Sequence, residues 1–475
     1  MAESTTTIPW KPVGFNGLRL DIPPTWDLVE IGEENVGDYM FRFDEEGELR
    51  LLVRTLRRRV RQFNPAKPTG KALASIGKNL PATHRKDFHP EAIQSVRVGR
   101  PGSEFDAVLV EWKALELAGH ILTFRDPERE TTYMFAFQWN AKNTRESNNA
   151  ILTAIGKSMA LGPESSGNIR WRFGGLSFAL EPDWRIEHIG VTAGKTILSF
   201  RHQLRKGEQL HIGRWGMANL LLKSLTFDLW PLRIFGRRQY FFRIDTTPED
   251  RTRSHPDREV LIMTGRPYGV FQLLLAAARR VVKPSDGARL DGRLLHDKKE
   301  NAIIMAASQG RLGAETIDCE PLLAGIDLDV VHPRPSLPKR RDVVLNSDRS
   351  GKPIITPSVQ LASIPTKNRV VELKKEGETV WYLEAPAQMN WKIKTLRYMS
   401  GQHRDEAQPL RLVLDDAGLF IWNRIDGQTR FDRIILDFST EFRLGHYEAQ
   451  VAIWEFMKTL VQRNLCGIVV PSRDA

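Results

Sequence analysis

The chain has 475 residues, of which 41% are hydrophobic and 27% charged, and a formal net charge of +11. That length exceeds one ordinary core, so several domains are expected, and the composition is neither that of a disordered chain nor that of a membrane-spanning one. Two cysteines, Cys319 and Cys466, are too few for a disulfide framework or a cysteine-rich zinc site.

The opening MAESTTTIPW has neither the basic start nor the apolar stretch of a secretory signal. No uncharged apolar stretch reaches the ~20 residues that span a bilayer, and the apolar LLLKSLTFDLW is broken by Lys223 and Asp228. A cytoplasmic, soluble protein without a membrane partner is expected.

Further along, GLRLDIPPTWDLVEIG from Gly17 returns as GLSFALEPDWRIEHIG from Gly175. Gly17, Leu18, Pro24, Trp26, Ile31 and Gly32 align with Gly175, Leu176, Pro182, Trp184, Ile189 and Gly190 at a constant offset. Glycine and proline restrict the backbone and tryptophan needs a dedicated space, so the match reads as an internal duplication. Trp26 and Trp184 are expected as core anchors. Both copies continue as strand, polar turn with glycine, strand: YMFRFDEEGELRLLVRT in the first and TILSFRHQLRKGEQLHIGRW in the second. The later segments GHILTFRDPERETTYMFAFQW and GRLLHDKKENAIIMAASQG share a strand, charged turn, strand look, and ALASIGKNL, LLLKSL and GVFQLLLAAARRVV read as helices. The expectation is two α+β domains, at 10–162 and 168–330, each a twisted antiparallel sheet with one or two helices. Trp112 and Trp139 lack evident second-copy counterparts, so the copies are not expected to share one binding role. The basic run RTLRRRVR (Arg54, Arg57, Arg58, Arg59, Arg61) reads as a solvated strand end, with a site for an acidic peptide or nucleic acid as the alternative. Five prolines between Pro333 and Pro357 mark an extended linker at 331–360.

No enzyme signature appears. GxGxxG after a strand, GxxxxGK[ST], GxSxG, HExxH and CxxxCxxC are all missing. His188, His202 and His211 fall on adjacent predicted strands, yet no carboxylate or cysteine joins them at metal-ligand spacing. No metal, cofactor or catalytic residue is expected. Asp415 and Asp416 are adjacent and not a helical turn apart, which suits helix capping better than acid–base chemistry.

From residue 368 the pattern changes. NRVVELKKEGETVWYLEAP reads as a β-hairpin over 370–383, and LRLVL as a strand. Three helices follow. One runs over 416–425 and ends at the Asp426–Gly427 turn. The next is N-capped by Thr429 and buries Phe431, Ile434, Ile435 and Phe438. The third runs over 447–464 with Val451, Trp454, Met457 and Val461 in an apolar stripe widened by Phe456 and Leu460. GIVV closes the domain as a short strand.

LVLDDAGLFIWNRIDGQTRFDRIILDF resembles the PqqD family, in which an LD-x-x-G-x-x-x-W core leads into D-G and a Thr-led helix. The matching residues are Leu414, Asp415, Gly418, Trp422, Asp426, Gly427 and Thr429, followed by Phe438, Phe442, Glu448, Ala449, Phe456 and Leu460. They cover about sixty residues of the end of the chain. The resemblance implies a winged-helix domain at 361–475 that holds the leader of a ribosomally made precursor peptide for a modifying enzyme, often a radical enzyme. It implies that the matching residues are architectural. The peptide is expected to add a strand beside the hairpin and pack on the third helix. The candidate contacts are Val370, Glu372, Val380, Tyr382, Arg443, Trp454 and Arg463. Cys466 is expected as a small buried hydrophobe.

The fold class expected is therefore α+β, with two duplicated antiparallel-sheet domains followed by a C-terminal PqqD-like winged helix. The function expected first is a non-catalytic, peptide-binding accessory protein. A structural or assembly protein using the winged helix for interaction is the second expectation, and an enzyme with its site in the duplicated domains the third. Nucleic acid is not the expected partner, because the third helix, EAQVAIWEFMKTLVQRN, is poor in basic residues.

Overall fold

Asn16 and Gly17 both adopt left-handed backbone (φ 50° and 88°), as a two-residue hairpin turn requires. They join β1 (Lys11–Phe15) to β2 (Leu18–Ile22). In chain order there follow β3 (Asp27–Asn35), β4 (Asp38–Glu45), β5 (Glu48–Arg57), α1 (Ala66–Asn79), β6 (His89–Pro90), β7 (Gln94–Val98), β8 (Phe105–Ala114), β9 (Leu117–Asp126), β10 (Thr131–Asn140), α2 (Arg145–Ser158) and β11 (Ala160–Leu161). The next stretch holds β12 (Ile169–Phe173), β13 (Leu176–Leu180), β14 (Trp184–Thr192), β15 (Lys195–His202), β16 (Gln209–Gly216), α3 (Ala218–Ser224), α4 (Trp230–Ile234), β17 (Phe242–Pro248), β18 (Arg258–Pro267), β19 (Arg289–Asp297), β20 (Ala302–Gly310), α5 (Cys319–Ala324) and β21 (Asp327–Leu328). The end holds α6 (Pro357–Ala362), β22 (Ile364–Lys367), β23 (Glu372–Glu376), β24 (Val380–Ala385), β25 (Leu410–Leu414), α7 (Asp416–Arg424), α8 (Phe431–Phe442), α9 (His446–Gln462) and β26 (Cys466–Val469). The structure is a computed structural model. It describes residues 10–35, 38–45, 48–57, 66–79, 86–115, 117–126, 130–140, 145–173, 175–192, 194–205, 207–234, 242–249, 257–267, 289–310, 317–328, 357–377, 380–386 and 409–470.

The architecture is α+β, with several antiparallel sheets and a C-terminal group of helices. Two compact units are present. One comprises residues 1–332 with 442–448, the other 333–441 with 449–475.

In the larger unit, two sheets share one strand logic. The first runs β3-β4-β5-β10-β9-β8-β6, with β7 also on β8; the second runs β14-β15-β16-β20-β19-β18-β17. Each carries a register shift at the same place in its opening hairpin, between Leu28 and Glu30 in one and between Ile186 and His188 in the other. A third sheet, β11-β2-β1-β12-β13-β21, takes strands from both halves. The expected division between 162 and 168 therefore falls inside one sheet. β1 meets β12 at Gly14 and Arg172, and a Cβ on Gly14 would stand 2.9 Å from the Arg170 carbonyl oxygen, so this crossing needs glycine.

One continuous core fills the space between these sheets. Trp26, Phe41, Phe43, Phe135, Phe178, Trp184, Leu198, Phe200 and Ile304 all belong to it. Both anchor tryptophans are buried there, at 2% and 3% exposure. Trp139 joins the same core, whereas Trp112 lies in a separate cluster with Ala72, Ile121 and Met134. Trp215 and Trp230 hold the corresponding cluster on the second sheet. Of the helices read from the sequence, ALASIGKNL falls on α1 up to Asn79 and LLLKSL on α3 up to Ser224, while GVFQLLLAAARRVV lies outside the described residues. Of the basic run, only Arg54 and Arg57 are described; both lie on β5, in register with Met134 and Thr131 of β10. Most of the linker at 331–360 also lies outside, but its last residues open α6, a helix where an extended chain was expected.

Candidate functional site

The smaller unit contains a three-stranded sheet in the order β23-β24-β25, and β25 leads straight into α7. Asp415 caps that helix: its carboxylate accepts the Gly418 N–H at 2.7 Å. This satisfies one orphan amide of the first turn and sets a negative charge at the positive helix end. A Cβ at Gly418 would lie 3.2 Å from Phe456 on α9 and 3.4 Å from Leu414 on β25, so glycine lets strand and helices converge. Trp422 is 2% exposed, with the Lys367 ammonium 5.0 Å above its ring. Burial pulls the Lys367 ammonium below the ordinary lysine range.

Two local expectations change. Thr429 does not cap α8, which begins at Phe431. Its hydroxyl and N–H both donate to Asp426, which also accepts the Gln428 N–H, at 2.6–2.8 Å. Asp426 thus organises the loop, and the amides of Thr429 and Gln428 hold its carboxyl below the usual aspartate range. Gly427 adopts the left-handed backbone expected of it (φ 77°), two residues past Ile425, the extended C-cap of α7. The second change is the phase of α9. Ala449, Ala452, Ile453, Met457 and Leu460 are buried, Trp454 and Phe456 are half-buried, and Val461 is exposed. Small alanines carry little hydrophobic signal in sequence, yet Ala449 and Ala452 lie on the buried side of the helix.

The candidate contacts fall into two groups. Glu372, Val380 and Tyr382 share one face of the small sheet, since Glu372 pairs with Glu384, Lys374 with Tyr382, and Glu376 with Val380. On the same face β25 adds Arg411, opposite Glu384, and Val413, opposite Tyr382. Leu383, Leu412 and Leu414 point to the other face, from which Leu414 reaches towards Gly418 and Phe456. Trp454 packs on Phe431 with ring centroids 4.6 Å apart, and Arg463 is exposed beyond the end of α9. Arg443 belongs to the larger unit, where its carbonyl accepts from Arg214. Val370 lies in a turn before β23 and is 52% exposed. The sequence thus places three of the seven on one face, whereas the other four lie elsewhere.

That face holds a network which sequence reading passed over. Lys374 donates to Glu384 at 2.8 Å and lies 3.1 Å from Glu372. The Lys374 hydrogen bond holds the Glu384 carboxyl below the ordinary glutamate range, so Glu384 is ionised at neutral pH. The Arg411 Nε lies 3.2 Å from Glu384, and its guanidinium stacks 5.0 Å from the Tyr382 ring. The available signal was the alternation in LRLVL, which puts leucines on one face and Arg411 and Val413 on the other. β25 is an edge strand among the described residues, and Val413 is 66% exposed. β23, at the other edge, reads ELKKE and carries the charges that discourage added strands.

Among the described residues, no group of three or more His, Cys, Asp or Glu is arranged to hold a metal ion. His188, Ser199 and His211 do form a cross-strand row, with Ser199 Oγ 2.9 Å from His211 Nδ1. His202 instead packs against Trp184 and accepts the Leu204 and Arg205 amides. Burial pushes the Cys466 thiol up to about 11 and the Cys319 thiol to about 12, so neither is a nucleophile at neutral pH. No helix among the described residues is long and apolar enough to cross a membrane.

No family model matches the chain, and no curated protein does. Solved structures overlap it slightly. One is described as the Tle4–Tli4 complex, at 9% identity and a TM-score of 0.25, covering 67% of this chain and 97% of that one. Another is the immunity protein TplEi of the type VI secretion system (T6SS) from Pseudomonas aeruginosa in its apo form, at 9% identity and a TM-score of 0.24, covering 68% and 99%. A third is the same immunity protein complexed with "L" peptide, at 9% identity and a TM-score of 0.23, covering 67% and 98%. Scores this low do not amount to a shared fold.

Proposed function

We propose that the chain is a non-catalytic, peptide-binding accessory protein whose C-terminal unit is a PqqD-like winged helix. In this reading a ribosomally made precursor peptide adds a strand to the small sheet and is presented to a modifying enzyme. The observation that carries it is the position of β25 at a sheet edge among the described residues, an apolar strand with Val413 exposed, joined directly to the capped helix α7. An unpaired edge offers a ladder of backbone donors and acceptors, and alternate side chains on each face supply selectivity. The order of three strands and then three helices agrees with a winged helix, and Asp415, Gly418 and Trp422 act in it as cap, close-packing point and core.

The site differs from the one the hairpin suggested. Val380 and Tyr382 lie on β24, the central strand, whose backbone is paired on both sides. The added strand belongs beside β25. The larger unit, in the same reading, descends from a duplicated α+β domain and docks the modifying enzyme. Its matched strand orders and matched register shifts support the duplication.

The test is a fluorescence titration of the full-length protein, with Trp381 on β24 as reporter, against peptides tiling the small open reading frames beside its gene. One peptide should give a saturable change, weakened at least about tenfold by Val413→Lys, which places a charge on the exposed edge. If no such peptide binds, or if Val413→Lys leaves binding intact, the reading fails.

A further inference from the structure

Resting on the reading above, we infer that Arg411 is a preformed carboxylate reader that selects an extended peptide by an acidic side chain. The incoming motif consists of two consecutive apolar residues followed by Asp or Glu.

Three observations support this. The Arg411 guanidinium is held before any ligand arrives: Tyr382 lies beneath it at 5.0 Å, and Glu384 faces its Nε at 3.2 Å. Glu384 is in turn fixed by Lys374 at 2.8 Å. Ordering a long side chain costs entropy, and here that cost falls on folding rather than on binding. The Nε side of the guanidinium is turned to Glu384, and 55% of the side chain is exposed. A stacked, planar fork suits a carboxylate, which it binds through two parallel N–H···O bonds. Finally, Arg411 sits on β25, the edge strand among the described residues, so an added strand brings side chains directly opposite it.

Register then fixes the motif. Successive side chains on a strand alternate between faces, so residues opposite Val413 and Arg411 share the outer face, and the residue between them meets Leu412 on the inner face. Val413 is exposed and Leu412 half-buried, and both gain from an apolar neighbour. The rest of this sheet is antiparallel, and antiparallel pairing is the more stable kind. Read from its N-terminus, the antiparallel ligand therefore presents apolar, apolar, acidic. In this scheme Tyr382 and Glu384 are positioning residues and Arg411 touches the ligand.

The probe is a synthetic peptide in which a central Val-Val-Asp is flanked by alternating Thr and Val, with the Asp kept or replaced by Asn or by Lys, titrated into the full-length protein. Asp should bind about tenfold more tightly than Asn, and Lys more weakly than both. Arg411→Glu should reverse the order of Asp and Lys. Arg411→Lys, which keeps the charge but loses the fork, should remove most of the preference for Asp over Asn. If all three peptides bind alike, the carboxylate reader is overturned while strand addition stands. If none binds, strand addition itself is overturned. Full discrimination in Arg411→Lys would leave a point charge where the inference places a stacked fork, and would overturn it as well. Arg411 is surface-exposed, so unchanged thermal unfolding of the variants verifies that they are folded.

Discussion

The two large sheets of the N-terminal unit share a backbone plan but differ in the polar chemistry laid on it. Their opening hairpins share a register shift, beside which Phe43 faces Leu28 in one and Phe200 faces Ile186 in the other, and on the next strand Phe43 pairs with Leu51 and Phe200 with Leu210. Four residues along, the first sheet has the cross-strand pair Tyr39 and Thr55, the second Thr196 and Arg214. Tyr39 and Thr55 are buried and neutral, and the Thr55 hydroxyl accepts the Tyr39 N–H at 3.2 Å. Thr196 and Arg214 are equally buried but enclose a charge. Glu448, within the segment 442–448 that belongs to this unit, accepts Arg214 at 2.5 Å, Thr196 at 2.8 Å and the Gly445 N–H at 3.1 Å. Leu444, in the same segment, is fully buried against Gly216. Buried apolar positions hold the two sheets in the same register, while the other pairs differ in their partners.

The largest effect should come from Glu448→Ala. It strands a buried guanidinium and should cost about 3–5 kcal/mol in equilibrium unfolding. A loss below 1 kcal/mol would show that the pair is solvated. A double-mutant cycle with Arg214→Met separates the pair's own contribution from the penalty of an unpaired charge. Gly216→Ala comes next, because a Cβ there collides with the Leu444 side chain. Overpacking of this kind should cost about 1–3 kcal/mol, and the double variant with Leu444→Ala should recover part of it. In the first sheet Thr55→Ala removes one buried acceptor and should cost about 1 kcal/mol. If Thr55→Ala proved as damaging as Glu448→Ala, the contrast between the neutral and the charged pair would collapse.

How far the sequence discloses these features follows from how local each one is. The hairpins are local: polar or charged turns between alternating strands, with glycine in the first two, announce β4–β5, β15–β16, β9–β10 and β19–β20. The cap at Asp415 is local as well. The sheet shared by β1, β2, β12 and β13 is not, because its central contact joins Gly14 to Arg172 and no periodicity records such a pairing. The buried partner of Arg214 lies more than two hundred residues away, and Glu448 reads in sequence as one more polar residue at a helix start. The small sheet shows the same division. Its strands were visible, but which of them lies at the edge depends on pairing, so Arg411 and Val413 emerged only with the topology. The stripe on α9 was misphased because large side chains dominate a periodicity count, while Ala449 and Ala452 mark the packed face.

The smallest expected effect uses pH to distinguish the two hairpins. Asp44 is 1% exposed at the end of β4, and Arg42 donates to both its oxygens at 2.8 and 2.9 Å. At the matching place on β15 stands Arg201, half-exposed and paired with Glu187. Two effects compete at Asp44: burial raises its pKa, the Arg42 ion pair lowers it, and burial prevails, so the pKa stands above 3.8. The folded chain then binds more protons than the unfolded one just above that value, and the contribution of Asp44 to stability declines as pH rises through the window. Asp44→Asn has no such proton to lose. The difference in unfolding free energy between the native chain and Asp44→Asn should therefore fall as pH rises from about 4 and level off once Asp44 is ionised in both states. A difference that grew with pH would mean that the Arg42 ion pair outweighs burial. Asp44 would then be a second charged device, and the first sheet would resemble the second more closely than its neutral Tyr39–Thr55 pair suggests.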